Sequence, residues 1–113
     1  MDSKTLAFKL AELALTKKAD NIKILDLRNI TTISDFFVIC TGHSEPQVKA
    51  IADAILEGSK KEGEHVWHKE GTNMKSWVLL DFVDVVVHIF LRDTRNFYAL
   101  EKLWGDAEIT EIS

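Results

Sequence analysis

Residues 77–90 constrain the fold most strongly, because two apolar runs lie on either side of a very short polar break. Valine, leucine and aromatic residues fill positions 77–80 and 85–90, and the break contains Asp81 and Asp84. Apolar runs of this length, rich in β-branched residues and bounded by turn-forming residues, are typical of buried strands. The stretch therefore predicts two core strands joined by a tight turn.

The segment after these strands, residues 91–104, changes to a helical pattern. Polar residues that can cap a helix come first, and apolar residues at helical spacing follow. Phe97, Leu100 and Trp104 fall on one face of this helix, and we expect that face to pack on the sheet. A sheet followed by an aromatic helix is thus predicted at this end of the chain.

The beginning of the sequence predicts a helix and two further strands. Asp2 or Ser3 can cap a helix over residues 3–18, whose apolar residues recur at helical spacing. Strands are predicted at residues 22–27 and 36–41, and the second is apolar on both faces, as is typical inside a sheet. The apolar positions of the helix are Leu6, Leu10, Leu13 and Ala14.

A capping box marks the start of the second helix. Ser44 and Gln47 have the spacing of such a box, and Pro46 is tolerated in a first helical turn. An apolar stripe then continues until Gly63, a residue type that commonly ends helices. A short strand at residues 65–68 and a loop complete the path to the central pair. The stripe consists of Val48, Ile51, Ala52, Ile55 and Leu56.

The order of these elements is helix, strand, strand, helix, three strands and helix, which indicates an α/β fold. We expect one domain over residues 1–113, a sandwich with a mixed five-stranded sheet flanked by helices. The sequence has no apolar run long enough to span a bilayer and begins without signal-peptide or transit-peptide character, so a cytoplasmic location is expected. The single cysteine, Cys40, lies in an apolar run and is expected to be a small buried residue rather than a nucleophile.

The charge balance bears on the class of partner. Fourteen Lys and Arg residues against eighteen Asp and Glu residues give a net charge of −4. This sign is wrong for a protein that holds nucleic acid by its phosphates, so we expect no direct nucleic-acid readout. An acidic domain is instead attracted to basic surfaces, and many of these belong to proteins that bind nucleic acid.

Four groups of residues occur in an order and spacing that together identify a family. They are residues 35–42 with Ser44; Gln47 and Val48 with residues 50–53; residues 77–90; and Arg95, Tyr98, Leu100, Glu101, Leu103 and Trp104. In this combination the chain resembles the bacterial ribosomal silencing factors, also called the iojap-like family, over about residues 3–106.

The resemblance implies a fold similar to the nucleotidyltransferases and a role as a translation repressor. It implies binding to the large ribosomal subunit through its interface protein L14 (uL14), which blocks joining of the small subunit. It implies no catalysis and no cofactor, and it implies action in starvation or stationary phase. An exposed sheet edge and exposed aromatic residues also favour a homodimer of the free protein.

The predicted docking surface combines Trp77 with Arg95, Tyr98, Glu101 and Lys102. Large aromatic residues supply much of the energy of protein interfaces, and surrounding charges can form a polar rim. Trp77 begins its strand, where exposure is more common than in the middle, and Tyr98 is on the same helix face as Glu101. The alternative for the aromatic residues is an ordinary place in the core.

One position departs from the family pattern. The family usually has glycine between the aromatic residue and the second aspartate of the central turn, and this chain has Val83. A β-branched residue is poorly suited to a positive φ, which costs about 1–2 kcal/mol in the left-handed region. Either the turn differs here or it is strained.

The alternative function is a small nucleotidyltransferase or nucleotide-binding module. Gly42, His43 and Ser44 open a helix, and the exposed amides of such a turn can hold a phosphate. Transfer chemistry would also need clustered carboxylates for metal ions, and only Glu45 follows the motif directly. A structural helix cap is the competing interpretation, and it is favoured.

Other polar residues have structural interpretations beside the chemical ones. Asp81 and Asp84 could form a metal or acid–base pair, but their spacing fits aspartates that bond nearby amides in a turn. His65 and His68 would point to opposite faces of a strand, which argues against a shared zinc ion. His88 lies in a valine run and is expected to be a hydrogen-bonded core or interface histidine.

Overall fold

One six-stranded sheet organises the computed structural model, which describes residues 1–73, 76–94 and 105–112. The elements are α1 (Ser3–Leu15), β1 (Asp20–Asp26), β2 (Phe36–Gly42), α2 (Glu45–Lys61), β3 (His68–Glu70), β4 (Trp77–Asp81), β5 (Val85–Leu91) and β6 (Glu108–Glu111). The strand order is β3-β4-β5-β2-β1-β6, with β2 and β5 parallel and the other neighbours antiparallel. The sheet is therefore mixed, as predicted.

The two predicted core strands form the hairpin β4–β5. Trp77 pairs with Phe90 and Asp81 pairs with Val86, so the hairpin is antiparallel and in register along its length. Strand β5 also pairs with β2, where Phe36 lies beside Val85. With a partner on each side, β5 is buried from Val85 to Phe90, which accounts for its unbroken apolar sequence.

Both helices begin where the sequence predicts them. The Asp2 side chain accepts a hydrogen bond from the Thr5 amide at 2.7 Å, and Ser44 caps α2 in the same way. These bonds satisfy amides that a helix start leaves free. The helices approach closely at Gly58, where an added Cβ would meet the side chain of Leu13. The glycine thus favours the close packing of α2 on α1.

The sheet has two buried faces of different composition. We call the face that packs against α1 and α2 the helix face and the opposite one the aromatic face. Strand residues of the helix face are Ile22, Ile24, Phe36, Val38, Cys40, Val78, Leu80, Val85, Val87 and Ile89. The aromatic face contains Leu25, Leu27, Phe37, Ile39, Trp77, His88 and Phe90. Cys40 is buried and unoxidised on the helix face, as expected of a small core residue.

The prediction of five strands is wrong, because the described residues include a sixth, β6. This strand has only four residues, with glutamate at both ends, and its Ile109 is 39% exposed. A hydrophobic pattern this weak does not indicate a strand. Pairing with β1, in which Ile24 lies beside Thr110, stabilises it.

Strand β3 is displaced from its predicted position. The sequence predicted a strand at residues 65–68, and the structure has His68–Glu70. All three residues of β3 are exposed, so neither face of the strand needs apolar residues and the sequence shows no alternating pattern. The register is set by β4, since His68 pairs with Asp81 and the Trp67 amide donates to the Asp81 carbonyl at 2.8 Å.

The predicted final helix falls mostly outside the described residues. Residues 92–94 are helical, which agrees with a helix that starts directly after β5. The predicted face of Phe97, Leu100 and Trp104 lies outside the described part of the chain.

Candidate functional site

The predicted docking surface is described at one of its five residues. Trp77 lies at the start of β4, and Arg95, Tyr98, Glu101 and Lys102 lie outside the described residues. Among the described residues, the candidate site consists of Trp77 and the side chains that hold it.

The indole of Trp77 is half-buried and has two defined contacts. Its ring stacks on Phe90 with a centroid distance of 5.1 Å and an interplanar angle of 28°. Its Nε1 donates a hydrogen bond to Nδ1 of His88 at 3.1 Å. The pleat directs Trp77, His88 and Phe90 to the same face of the sheet, which allows both contacts. Trp77 is thus less exposed than expected for the first residue of its strand.

His88 is the polar centre of the aromatic face. The imidazole is 4% exposed and packs edge-on against Phe37, with ring centroids 4.6 Å apart. Burial lowers the pKa of His88 to about 4, because the charged form would lose its hydration. The ring is neutral at pH 7, and Nδ1 is the acceptor for Trp77, which puts the proton on Nε2. The expectation of a hydrogen-bonded core histidine is confirmed.

The Nε2 atom of His88 is a buried polar atom on the aromatic face. It is buried and has no hydrogen-bond partner among the residues that the structure describes. A buried donor without a partner lowers stability by about 1–3 kcal/mol, and such groups are rare in native proteins. Sequence reasoning found the histidine but not its bond to Trp77, since the two are eleven residues apart.

The β4–β5 turn is strained at Val83. The Asp84 amide donates to the Phe82 carbonyl at 3.0 Å, and Val83 between them has a φ of 76°. This is a γ-turn of the rare form with positive φ at its centre. Asp81 Oδ1 accepts from the Val83 amide at 2.7 Å. The strained alternative is therefore the observed one, and Asp81 acts as a turn aspartate.

The second aspartate of the turn ties it to the start of β2. The Asp84 carbonyl accepts from the amides of Asp35 at 2.8 Å and Phe36 at 3.1 Å, and from the Ser34 hydroxyl at 3.0 Å. Ser34 is buried, so its hydroxyl is a structural group. These bonds give the turn a role in holding β5 beside β2.

Residues 42–44 form a helix cap in which the His43 amide is already bonded. Ser44 Oγ accepts from the Gln47 amide at 3.2 Å, and Gln47 Oε1 accepts from the His43 amide at 2.7 Å. The Gln47 side chain thus returns to the residue before the cap, a variation on the predicted capping box. A phosphate would have to displace these bonds. The arrangement favours the structural interpretation of this motif.

Gln47 also links the two helices in a way that the sequence did not indicate. Its Nε2 donates to the carbonyls of Lys17 at 3.2 Å and Lys18 at 3.1 Å, just beyond the end of α1. Lys18 has a φ of 61°, so the bond stabilises a left-handed residue. Nearby, His43 Nε2 and Asp20 Oδ2 are 3.3 Å apart.

The other histidines occupy separate positions. His68 lies on β3, 2.9 Å from Glu70 Oε1, and His65 is exposed before that strand. Over residues 1–73, 76–94 and 105–112 no three side chains of metal-ligating type are grouped for a metal ion. Within the same ranges no helix has the length and apolar content that crossing a membrane requires.

Trp67 is an exposed aromatic residue that sequence reasoning missed. It is 72% exposed at the end of the sheet where β3 begins, and Ile33 before β2 is 78% exposed. The available signal was the polar run that follows Trp67, since His68, Lys69 and Glu70 do not continue a core strand.

Comparison with known proteins extends over most of the chain. The family model described as "Ribosomal silencing factor during starvation" matches residues 1–113. The ribosomal silencing factor RsfS of Halalkalibacterium halodurans is 46% identical over 96 residues, which are 85% of this chain and 82% of the relative. That of Bacillus subtilis is 45% identical over 96 residues, 85% of this chain and 81% of the relative. A crystal structure of a Chromobacterium violaceum protein matches with a TM-score of 0.90 at 33% identity, covering 93% of this chain and 88% of that one.

Proposed function

The chain belongs to the ribosomal silencing factor family, and from this premise we propose that it is a translation repressor that binds the large ribosomal subunit. The contact is with ribosomal protein L14, and the bound factor blocks joining of the small subunit. The observation that carries the proposal is the match of the family model to all 113 residues. The whole chain, residues 1–113, acts as a single ribosomal silencing factor domain.

The docking surface in this proposal consists of Trp77, Arg95, Tyr98, Glu101 and Lys102. Trp77 supports it as an anchor, since the ring is half-buried and stacks on Phe90. A partly preorganised aromatic ring loses little conformational freedom on binding. The net charge of −4 favours a basic protein partner over the phosphates of ribosomal RNA.

Repression in this proposal is steric and needs no catalysis or cofactor. A domain whose Cα atoms extend over 35 × 33 × 23 Å is large enough to obstruct a subunit interface from one docking point. It acts in the cytoplasm under starvation. The free protein forms a homodimer, for which the exposed edge strand β3 and the exposed Trp67 provide an unpaired surface.

Sedimentation of the purified protein with isolated large subunits tests the proposal. We expect the protein to sediment with the subunits at moderate salt and to reduce their association with small subunits. Tyr98→Ala should weaken binding by about 2 kcal/mol or more, roughly 30-fold, which is typical of an interface hot spot. Its melting temperature should change little.

A core variant provides the matched control for this experiment. Leu10→Ala removes a fully buried side chain far from the proposed surface, so it should lower stability and leave affinity unchanged at temperatures where it is folded. If the parent does not sediment with large subunits, the proposal is wrong. If Tyr98→Ala binds like the parent, the docking surface is elsewhere.

The nucleotide-binding alternative makes a different prediction. Similarity of the fold to the nucleotidyltransferases is a hypothesis, and the bonded amides of His43 and Gln47 weigh against a phosphate site there. A ligand that binds the folded protein raises its melting temperature. Clear stabilisation by nucleotide with magnesium would favour the alternative.

A further inference from the structure

The Trp77–His88 pair has a geometry that fixes the indole in two directions. Trp77 pairs with Phe90 and Leu79 pairs with His88, so His88 is the diagonal neighbour of Trp77 across the hairpin. Diagonal neighbours on one face are within reach of aromatic side chains. Stacking on Phe90 defines the plane of the indole, and the 3.1 Å bond to His88 defines its rotation within that plane.

The choice of histidine at position 88 is not explained by stability. Its neighbour on the same strand and face, Val86, is an aliphatic residue that fits the buried site without polar atoms. The imidazole instead brings a buried Nε2 donor that has no partner within the described ranges, which is unfavourable for folding. Phenylalanine would fill a similar space without that buried donor. A residue that breaks the rules of core packing often belongs to a functional site.

What the imidazole provides is a hydrogen-bond acceptor for the indole N–H, with the two rings tilted by 39°. The neutral ring presents the Nδ1 lone pair to the Trp77 N–H, and protonation would remove that acceptor. Burial keeps the ring neutral, with a pKa of about 4. An indole that is free to rotate must be ordered when a partner binds, at a cost in affinity.

We propose that His88 is a positioning residue that holds the Trp77 indole in the orientation in which it meets the large-subunit partner. The inference rests on the proposed function, because it assigns His88 a role through the docking role of Trp77. It adds a residue that contacts no partner itself and that acts by preorganising one that does. His88 thereby contributes to affinity without contributing to the contact area.

A double-mutant cycle in the full-length protein tests the proposal. Affinity for isolated large subunits is measured for His88→Phe, Trp77→Phe and the double variant, together with each melting temperature. His88→Phe removes the acceptor and keeps the ring volume, so it should weaken binding about five- to tenfold without lowering the melting temperature. In the Trp77→Phe background the same change should have no further effect, because coupled residues are not additive.

Two further variants separate positioning from packing. His88→Asn retains an acceptor near the Nδ1 position, so it should restore most of the loss and bind only two- to threefold more weakly than the parent. Val86→Ala removes volume from the same strand and face, so it should lower the melting temperature and leave affinity unchanged. Nitrogen-15 spectra of the free protein should show the Trp77 indole N–H signal shifted in His88→Phe and close to the parent in His88→Asn.

The outcomes distinguish this inference from the proposed function. If His88→Phe binds like the parent, or weakens binding equally with and without Trp77, the positioning role is wrong while the docking role of Trp77 stands. If Trp77→Phe binds like the parent, the docking role of Trp77 fails and the positioning role fails with it. If the parent does not bind large subunits, the proposed function itself is wrong. If His88→Phe does not fold, the affinity and the indole N–H signal of His88→Asn test the positioning role instead. An indole N–H that is not hydrogen-bonded in His88→Asn, together with parental affinity, would overturn the inference.

Discussion

The helix face of the sheet is built almost entirely from aliphatic side chains, whereas the aromatic face carries Phe37, Trp77, Phe90 and the buried His88. On the helix face, residues such as Leu10 and Ile55 are fully buried against the strands. On the aromatic face, the rings of Trp77 and Phe90 stack at 28° and the indole is held by a hydrogen bond to His88.

The two faces contribute differently to the stability of the fold and to the ordering of side chains. Aliphatic packing is non-directional, so the helix face tolerates rotation of side chains and mainly removes apolar area from water. Aromatic contacts and a buried hydrogen bond depend on angle, and they define one arrangement of side chains. The helix face is therefore expected to supply most of the stability, and the aromatic face to hold its side chains in one arrangement.

The largest expected effect tests the helix face. Leu10→Ala should lower the free energy of unfolding by about 2–5 kcal/mol, because it removes a fully buried side chain and leaves a cavity between α1 and the sheet. Urea denaturation measures the change, with Glu12→Ala on the exposed side of α1 as the control. A loss below about 1 kcal/mol would show that the helix face is not the main source of stability.

The next effect tests the polar centre of the aromatic face through pH. The pKa of His88 is lowered from 6.5 to about 4 by burial, so the unfolded chain binds its proton more readily than the folded one. The contribution of neutral His88 to the free energy of unfolding is fully present above pH 6.5. It is lost as the pH falls towards 4, by roughly 3 kcal/mol in total. Denaturation of the parent at several pH values should show this decrease.

The control for the acid effect is His88→Asn, which has no titrating group at this position. The difference between parent and variant isolates the contribution of His88, because every other residue is the same in both. Parallel pH profiles for the two proteins would contradict the buried, neutral state of His88.

A smaller effect tests whether the helix layer depends on aliphatic packing alone. Gln47→Ala removes the bonds to the His43 amide and to the carbonyls of Lys17 and Lys18, so we expect a loss of about 1–2 kcal/mol in thermal or urea unfolding. Gln47→Glu keeps the oxygen that accepts from the His43 amide and loses the Nε2 donor. Its stability should therefore lie between those of the parent and Gln47→Ala. No change in Gln47→Ala would mean that packing alone holds the helix ends.

The smallest effect concerns the turn that keeps the two strands of the hairpin in register. Val83→Gly should raise the free energy of unfolding by up to about 1 kcal/mol, because relief of the positive φ outweighs the added entropy of the unfolded chain. Val83→Ala keeps the strain and should bring no such gain. A loss above about 1 kcal/mol in Val83→Gly would show that the valine side chain stabilises the turn.

The sequence alone determined the elements whose signals are local. The caps at Asp2 and Ser44 depend on residues three positions apart, and the strands β4 and β5 on unbroken apolar runs. At Val83 the family resemblance raised the choice between a different turn and a strained one, and the φ of 76° decided it. These features need no knowledge of distant parts of the chain, so propensity and periodicity were sufficient.

The tertiary structure alone decided the features that depend on pairing between distant segments. Strand β6 is stabilised by β1, β3 takes its register from β4, and Gln47 reaches the carbonyls at the end of α1. The Trp77–His88 bond exists because the β4–β5 register makes the two residues diagonal neighbours. A one-residue shift of a strand reverses every side chain to the other face, so these contacts are fixed only once the whole sheet has formed.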